Sequence, residues 1–448
     1  MTDRYLLGDR ISAVACSRMD TEPVKTLWSR SCSAEKRLSI QPCGEFRFQI
    51  GSTEPPLLSP RAEYALRVNE GGISLVGRDF GGLMRGFFSL LMKIEHENGT
   101  DQIACAEEQG EYRIQDRMIH LCIFPETDLY FIRKLIRLAA LCQYTHVVIE
   151  FWGMLQYDCL KELAWQHAFT KQEIGSLIAE CHMLGIEPIP MFNHLGHASA
   201  SRVRYGKHVV LDQNIRLRHL FTPDGWVWNF PSKEVQQLLK QVRSELYELF
   251  GEGKYFHLGC DEAYYVTKNK ELRSQLPNYL HSLTAEVEKE GRRSMIWMDM
   301  LLERDRFACC YATGDPNDVP LLRQAVSPST VFVDWQYDCN TAPIPSLLSL
   351  KDCGHACIGA PWFSPKNIDA HIQTVSEHAM AGMMLTTWHT LSDQISSILY
   401  CAKQCGAHTF CWSESSQIET ETATLLRLVS AEGNTYASSG WAREQVRV

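Results

Sequence analysis

Two adjacent carboxylates, Asp261 and Glu262, stand directly behind the run Phe256-His257-Leu258-Gly259-Cys260 and directly ahead of Ala263-Tyr264-Tyr265. Such a pair suits acid-base cleavage of a bond. The charge of one carboxylate keeps its neighbour protonated as a general acid, while the ionised member steadies a developing cation. A plainer reading has Asp261 capping the next helix and Glu262 in its first turn, where the helix dipole favours negative charge. The histidine and glycine before the pair and the two tyrosines after it favour the chemical reading.

The elements that must position the pair are legible on either side. Ser232 occupies an N-cap position, and Val235, Leu238, Leu239, Val242, Leu246 and Leu249 recur at helical spacing until Phe250-Gly251-Glu252-Gly253 ends the pattern. Helix, glycine turn, strand and acidic pair follow one another as in a parallel α/β unit, whose active sites form past the carboxyl ends of the strands. From residue 113 onward such units repeat. Strands are expected at 118–124, 146–151, 187–192, 254–258, 294–297, 331–333, 356–359 and 383–386. Helical patterns fall between them at 129–141, 170–184 (opened by the capping box Thr170-x-x-Glu173), the stretch before Gly251, 280–290, 318–325, 346–350 and 368–381, and 392–405 closes the cycle.

Eight units predict an α/β fold, a (β/α)8 TIM barrel over 113–405. A doubly wound open sheet is the alternative, but no glycine-rich nucleotide fingerprint supports it. Residues 1–112 read as a small non-catalytic N-terminal α/β domain with strands at 46–50, 64–68 and 72–77 and a helix at 81–94. Gly81, Gly82 and Gly86 lack the spacing and the lysine and serine of a phosphate loop, so packing explains them better. Residues 406–448 read as a C-terminal appendage packed on the barrel.

Polar and aromatic side chains recur at one expected strand end after another: Glu150-Phe151-Trp152, Asn193-His194-Leu195-Gly196-His197, Asp261-Glu262, Trp297 with Asp299, Asp334-Trp335-Gln336-Tyr337-Asp338, Trp362 and Trp388-His389. Aromatic walls with a few carboxylates suit a sugar, whose rings offer apolar CH faces for stacking and hydroxyls for charge-assisted hydrogen bonds.

The string His257-x-Gly259-x-Asp261-Glu262 resembles the His-x-Gly-x-Asp-Glu signature of family 20 glycoside hydrolases, the β-N-acetylhexosaminidases, with Cys260 where a second glycine is usual. With Tyr264 and Tyr265, and with Ile149-Glu150-Phe151 ahead of Trp152-Gly153-Met154, the likeness is to the hexosaminidase D branch of that family. The resemblance implies a catalytic pair of Asp261 and Glu262, and substrate contacts from Arg117, Glu150, His197, Trp297, Asp299, Trp335, Tyr337 and Trp388. Arg117 would hold ring hydroxyls, the tryptophans would line the acetyl pocket, and Tyr337 would bind the acetamide oxygen. It implies an exo-acting, retaining hydrolase of terminal β-linked N-acetylglucosamine or N-acetylgalactosamine. The reaction would be substrate-assisted, with no cofactor and no metal.

The sequence also departs from that family. Pro190-Met191-Phe192-Asn193 replaces Pro-Glu-Ile-Asp, Leu195 stands for a proline, Cys122 is nearest to an absent aspartate, and Thr390 replaces the acidic residue past Trp388. The two reaction carboxylates survive, while the preference for one C4 epimer is left open. Two alternatives stand beside this reading. One is a metal-dependent barrel hydrolase built on His194 and His197 with Asp261 and Glu262. The other is a sugar-binding barrel without activity.

At 448 residues, 22% charged and 45% hydrophobic, the chain is long enough for a large barrel and a smaller domain. A net charge of -9 and the lack of any long basic run argue against nucleic-acid binding. No apolar leader opens the sequence and no run approaches the ~18 residues of a membrane span, so a cytoplasmic location away from membranes is expected, in carbohydrate metabolism. The expected partner is an N-acetylhexosamine glycoside or glycoconjugate. The sequence permits a homodimer without specifying one. Seventeen cysteines, many at apolar positions such as Cys122, Cys142 and Cys181, read as small buried hydrophobes in a reducing compartment, and neither Cys353/Cys357 nor Cys401/Cys405 has zinc-site spacing.

Overall fold

The computed structural model describes residues 3–8, 10–32, 37–151, 153–198, 214–388, 391–406 and 425–430. Most of the expected appendage lies outside them, as do Trp152, His389 and Thr390. Eight parallel strands close into a barrel in chain order: Asp116–Cys122, His146–Glu150, Glu187–Met191, Tyr255–His257, Arg293–Trp297, Val331–Asp334, Ala356–Gly359 and Gly382–Leu385. The first and last strands pair to complete it, with Ile119 beside Leu385. Helices Leu129–Leu141, Lys171–Met183, Lys233–Phe250, Lys270–Lys289, Val319–Ala325, Pro345–Lys351, Pro365–Glu377 and Ile395–Gln404 follow the strands in turn.

Local chemistry explains these boundaries. Thr170 and Glu173 form the expected capping box. Gly251 ends the long helix before strand four at φ +70, a conformation that costs glycine nothing. Ser232 holds the N-cap position of that helix, although its side chain makes no capping bond. Inside the barrel Met118, Val148, Ile189, Met191, Met295, Trp297, Val331, Val333, Ile358 and Met384 form a buried core of their own. Among the described residues no helix is long and apolar enough to cross a membrane.

Ahead of the barrel, a six-stranded sheet runs in the order Arg37–Cys43, Arg10–Cys16, Arg47–Gly51, Gly72–Gly77, Tyr64–Asn69, Ala106–Gln109. Helices Glu22–Ser31 and Phe80–Met92 pack with it, and Trp28 and Phe48 meet Phe87 at ring-centroid distances of 6.1 and 5.3 Å. A three-stranded sheet, Arg4–Leu7 with Thr100–Ala104 and Glu95–Glu97, flanks it.

Arg117 departs from its expected role. Strand one starts at Asp116, so Arg117 lies at the amino end of the barrel, opposite the face where barrel sites form. Its guanidinium is 1% exposed and grips both oxygens of Glu63 at 3.0 Å, bonds the carbonyls of Ile114, Gln115 and Gln143, and stacks on Tyr112 at 3.6 Å. It joins the first domain to the barrel floor and does not touch the candidate site. Burial opposes ionisation of Glu63, yet the charges and hydrogen bonds of Arg117 and Arg85 outweigh it and hold that carboxyl below its usual value.

Removing one partner of a buried pair strands the other, so Arg117→Met is expected to cost about 3–5 kcal/mol in urea unfolding while leaving KM of the folded fraction unchanged. Because the folded pKa of Glu63 is depressed, its contribution is present above the unfolded carboxylate value and is lost as pH falls through the folded one. The extra cost of Arg117→Met should therefore shrink in acid. A KM raised tenfold with stability intact would return Arg117 to the substrate.

Candidate active site

Strand four ends at His257, and the backbone then makes a tight passage to the two carboxylates. Gly259 at φ +65 has no room for a side chain, since a Cβ there would sit 1.9 Å from Asn193 Oδ1. A Cβ on Gly196 would sit 1.8 Å from the Asp261 carbonyl oxygen, so the loops after strands three and four lie against each other at two glycines. Three non-glycine residues at this junction, His197 (φ +55), Cys260 (φ +73) and Glu262 (φ +50), hold left-handed backbone. Each such position costs of order 1–3 kcal/mol, which the surrounding contacts must offset. Helix Tyr264–Lys268 begins only after Ala263 and has no side-chain cap, so the plain capping role for Asp261 is not what the chain adopts.

That passage brings the acids onto one imidazole. His197 Nε2 lies 2.9 Å from Glu262 Oε2 and 3.2 Å from Asp261 Oδ2. Trp226 packs on the His197 ring at 4.3 Å and donates its indole N–H to the Glu262 carbonyl at 2.9 Å. Asp299 sits beneath, fully buried, accepting from the Glu262 backbone N–H at 2.9 Å and from the Thr313 hydroxyl at 2.8 Å. Burial, then the charge of Asp261, pushes the Asp299 carboxyl well above the usual carboxylate range. Asp299 thus holds the main chain of Glu262 and does not line the pocket, where a substrate contact was expected. The Tyr264 hydroxyl bonds that of Tyr311 at 2.6 Å, and burial followed by the hydrogen bond to Glu262 raises its pKa, so it remains a donor.

Together with His197 and the two acids, Trp335, Tyr337, Trp362 and Trp388 line a pocket of about 190 Å³. The Tyr337 hydroxyl accepts from the Trp388 indole at 2.5 Å and from Thr386 at 3.3 Å, which fixes two walls against each other. Trp335 and Trp362 flank Tyr337 with ring centroids 5.4 and 5.3 Å away.

Two further expected contacts lie below this pocket. Trp297 is fully buried in the barrel core, packed on His257 at 4.4 Å and on Trp388 at 5.8 Å, because its side chain at the end of strand five points inward. Glu150 is buried as well, 3.2 Å from His120 Nε2, and His120 in turn packs on Trp388 at 4.7 Å. Both support the floor and neither lines the pocket.

His194 does not join His197. It is fully buried, bonds the Phe192 carbonyl through Nδ1 at 2.6 Å and meets Phe192 and Phe256 edge-on, and burial drives its pKa well below that of a free imidazole. The geometry therefore lacks the two-histidine ligand set of the metal-hydrolase alternative.

Sequence reasoning passed over Trp226, Tyr311 and His120. For Trp226 the signal is the turn Thr222-Pro223-Asp224-Gly225 inside a connection far longer than most. For His120 it is alternation, since it shares the inward face of strand one with Met118 and Cys122.

Residues 152–319 match the model of glycosyl hydrolase family 20, catalytic domain. Hexosaminidase D from Bos taurus is 24% identical over 131 residues, 29% of this chain and 36% of that protein, so the match spans about a third of the relative's length. The chain also resembles the family 20 exo β-N-acetylglucosaminidase of Vibrio harveyi, solved with N-acetylglucosamine (TM-score 0.66, 15% identity, 96% of this chain and 75% of that one). It is similar to the β-N-acetylhexosaminidase of Bacteroides fragilis NCTC 9343 (TM-score 0.66, 15% identity, 95% and 92%). At such identities the likeness establishes the shared fold, a barrel preceded by a small sheet domain.

Proposed function

We propose that the chain, residues 152–319 of which match the catalytic-domain model of glycosyl hydrolase family 20, is an exo-acting, retaining β-N-acetylhexosaminidase that removes terminal β-linked N-acetylglucosamine or N-acetylgalactosamine by substrate-assisted catalysis. The observation that carries this reading is the pair Asp261 and Glu262, both within 3.2 Å of His197, at a pocket walled by tryptophan and tyrosine. At about 190 Å³ the pocket is smaller than the ~300–1,000 Å³ of sites for larger ligands, which suits one terminal ring.

Glu262 protonates the glycosidic oxygen and then, as a base, activates water. The 2-acetamido carbonyl oxygen of the substrate attacks the anomeric carbon, so the enzyme supplies no nucleophile; this is the recognised exception to the two-carboxylate scheme. Asp261 bonds the acetamide N–H and balances the positive charge of the oxazolinium ion. His197 holds the two carboxylates in register. Trp335, Trp362 and Trp388 enclose the acetyl group, and Tyr337 donates its hydroxyl to the acetamide oxygen. A cytoplasmic glycoconjugate is the substrate in this reading.

The test is a panel of aryl β-glycosides assayed after exhaustive chelation. Turnover of the β-N-acetylhexosaminides at saturating substrate is expected to survive chelation, with the glucosamine and galactosamine pair reporting the C4 preference. Loss on chelation with recovery on added metal would replace the mechanism with a metal-dependent one. Binding without turnover would make the chain a sugar-binding barrel.

A further inference from the structure

Behind the pocket wall, two loops meet through sulfur. Cys309 and Cys310 lie on the loop after strand five, and Cys339 on the loop after strand six. Cys310 Sγ is 3.6 Å from Cys339 Sγ and 3.9 Å from Cys309 Sγ, and all three sulfurs lie within 4.8 Å of one another. Among the described residues this is the one group of three or more histidine, cysteine or acidic ligand atoms drawn together in this way. A tetrahedral zinc ion with bonds of about 2.3 Å to sulfur sets its thiolates about 3.8 Å apart. The two short edges of the triangle bracket that spacing.

Packing alone does not explain the cluster. Cysteines that serve as small hydrophobes are buried, whereas here only Cys339 is; Cys310 is half-buried and Cys309 exposed. Cys310 also lines an open cavity of about 520 Å³ beside Tyr264, Lys268 and Arg304, which gives an ion a path from solvent. The exposed side of Cys309 leaves room for a water as fourth ligand.

We propose that Cys309, Cys310 and Cys339 form a three-thiolate site for a thiophilic divalent cation, Zn²⁺ foremost, that ties the two loops together and tunes substrate binding. As each metal–sulfur bond forms, the thiol releases its proton to solvent, and no electron is transferred. The loops it joins carry the pocket. Tyr311, next to Cys310, donates its backbone N–H to the Gln336 side chain at 2.6 Å, packs at a tilt on Trp335 with ring centroids 5.0 Å apart and bonds the Tyr264 hydroxyl. Tyr337 precedes Cys339 by two residues on the other loop. The site itself stands apart from the proposed hydrolase activity, and only its effect on KM rests on that activity.

The test titrates the full chain, reduced with a phosphine, with Cd²⁺ and reads the thiolate-to-metal absorption; Zn²⁺ is measured by competition with a chromophoric chelator. One tight ion per chain is expected. Its affinity should fall at least tenfold in Cys309→Ser and in Cys310→Ser and stay unchanged in Cys353→Ser, another exposed cysteine. Zn²⁺ should shift KM at least threefold in the wild type and not in Cys309→Ser, whose exposed side chain leaves folding unaffected. Binding that persists in both cluster variants, or no binding at micromolar ion, overturns the site. Binding that leaves KM unmoved overturns the link to the pocket.

Discussion

An aryl β-glucoside or β-galactoside, which lacks the 2-acetamido group, is expected to be turned over negligibly, and stepwise fluorination of the acetyl methyl should slow the first chemical step. Both results follow from the source of the nucleophile. An intramolecular carbonyl held against the anomeric carbon gains ~7–11 kcal/mol from proximity, which no side chain here replaces. The pocket walls add to that gain by fixing the attacking group: the Trp388 indole bonds the Tyr337 hydroxyl, and Trp335 and Trp362 flank that ring. In the same series Asp261→Asn should lower kcat ~10²–10³-fold, since it keeps the shape of the residue but removes the charge opposite the oxazolinium ion. Trapping a sugar covalently on any carboxylate of the protein, or turnover indifferent to fluorination, would sink the mechanism.

Glu262→Gln is expected to lower turnover of an N-acetylhexosaminide with a poor leaving group by at least ~10²-fold, the usual worth of a general acid. The loss should shrink as the leaving group becomes acidic enough to depart without a proton. Sugar contacts made by the other pocket residues persist in the variant, so KM should move little and the loss should fall in kcat. Equal losses on aryl and disaccharide substrates would mean that Glu262 is not the acid. Thioglycosides of the same sugar offer a second check, because sulfur needs little protonation to leave.

The barrel was legible because strands buried on both faces write nearly continuous apolar runs, and each expected run lies within two residues of a strand. Helix boundaries were harder where a local rule met a tertiary exception. The helix expected over 280–290 begins ten residues earlier, running as Lys270–Lys289 from the Asn269 cap and through Pro277, with Leu276, Tyr279, Leu280 and Leu283 buried in the core. The position of the acidic pair past strand four was legible because a short apolar run leads straight into it. Depth was not. Trp297 and Trp388 look alike in sequence, and only the position of each side chain relative to the barrel axis sends one into the core and the other to the mouth. Arg117 is a different case, because its substrate role came from the resemblance alone, while the structure sets it on Glu63 at the amino end of strand one.

The Arg117–Glu63 grip bears on how the protein can be cut and recombined. A cation almost without solvent exposure in the barrel's own first strand finds its counter-charge in the preceding unit, and Arg85 of that unit shares the same carboxylate. Excised at residue 113, the barrel would lose both the Glu63 carboxylate and the Tyr112 ring that cover its Arg117 guanidinium, and the front piece would keep a half-buried acid with one of its two cations gone. The two units are therefore a single inheritance: whichever barrel is grafted onto this front piece must bring an arginine at the same depth of its first strand.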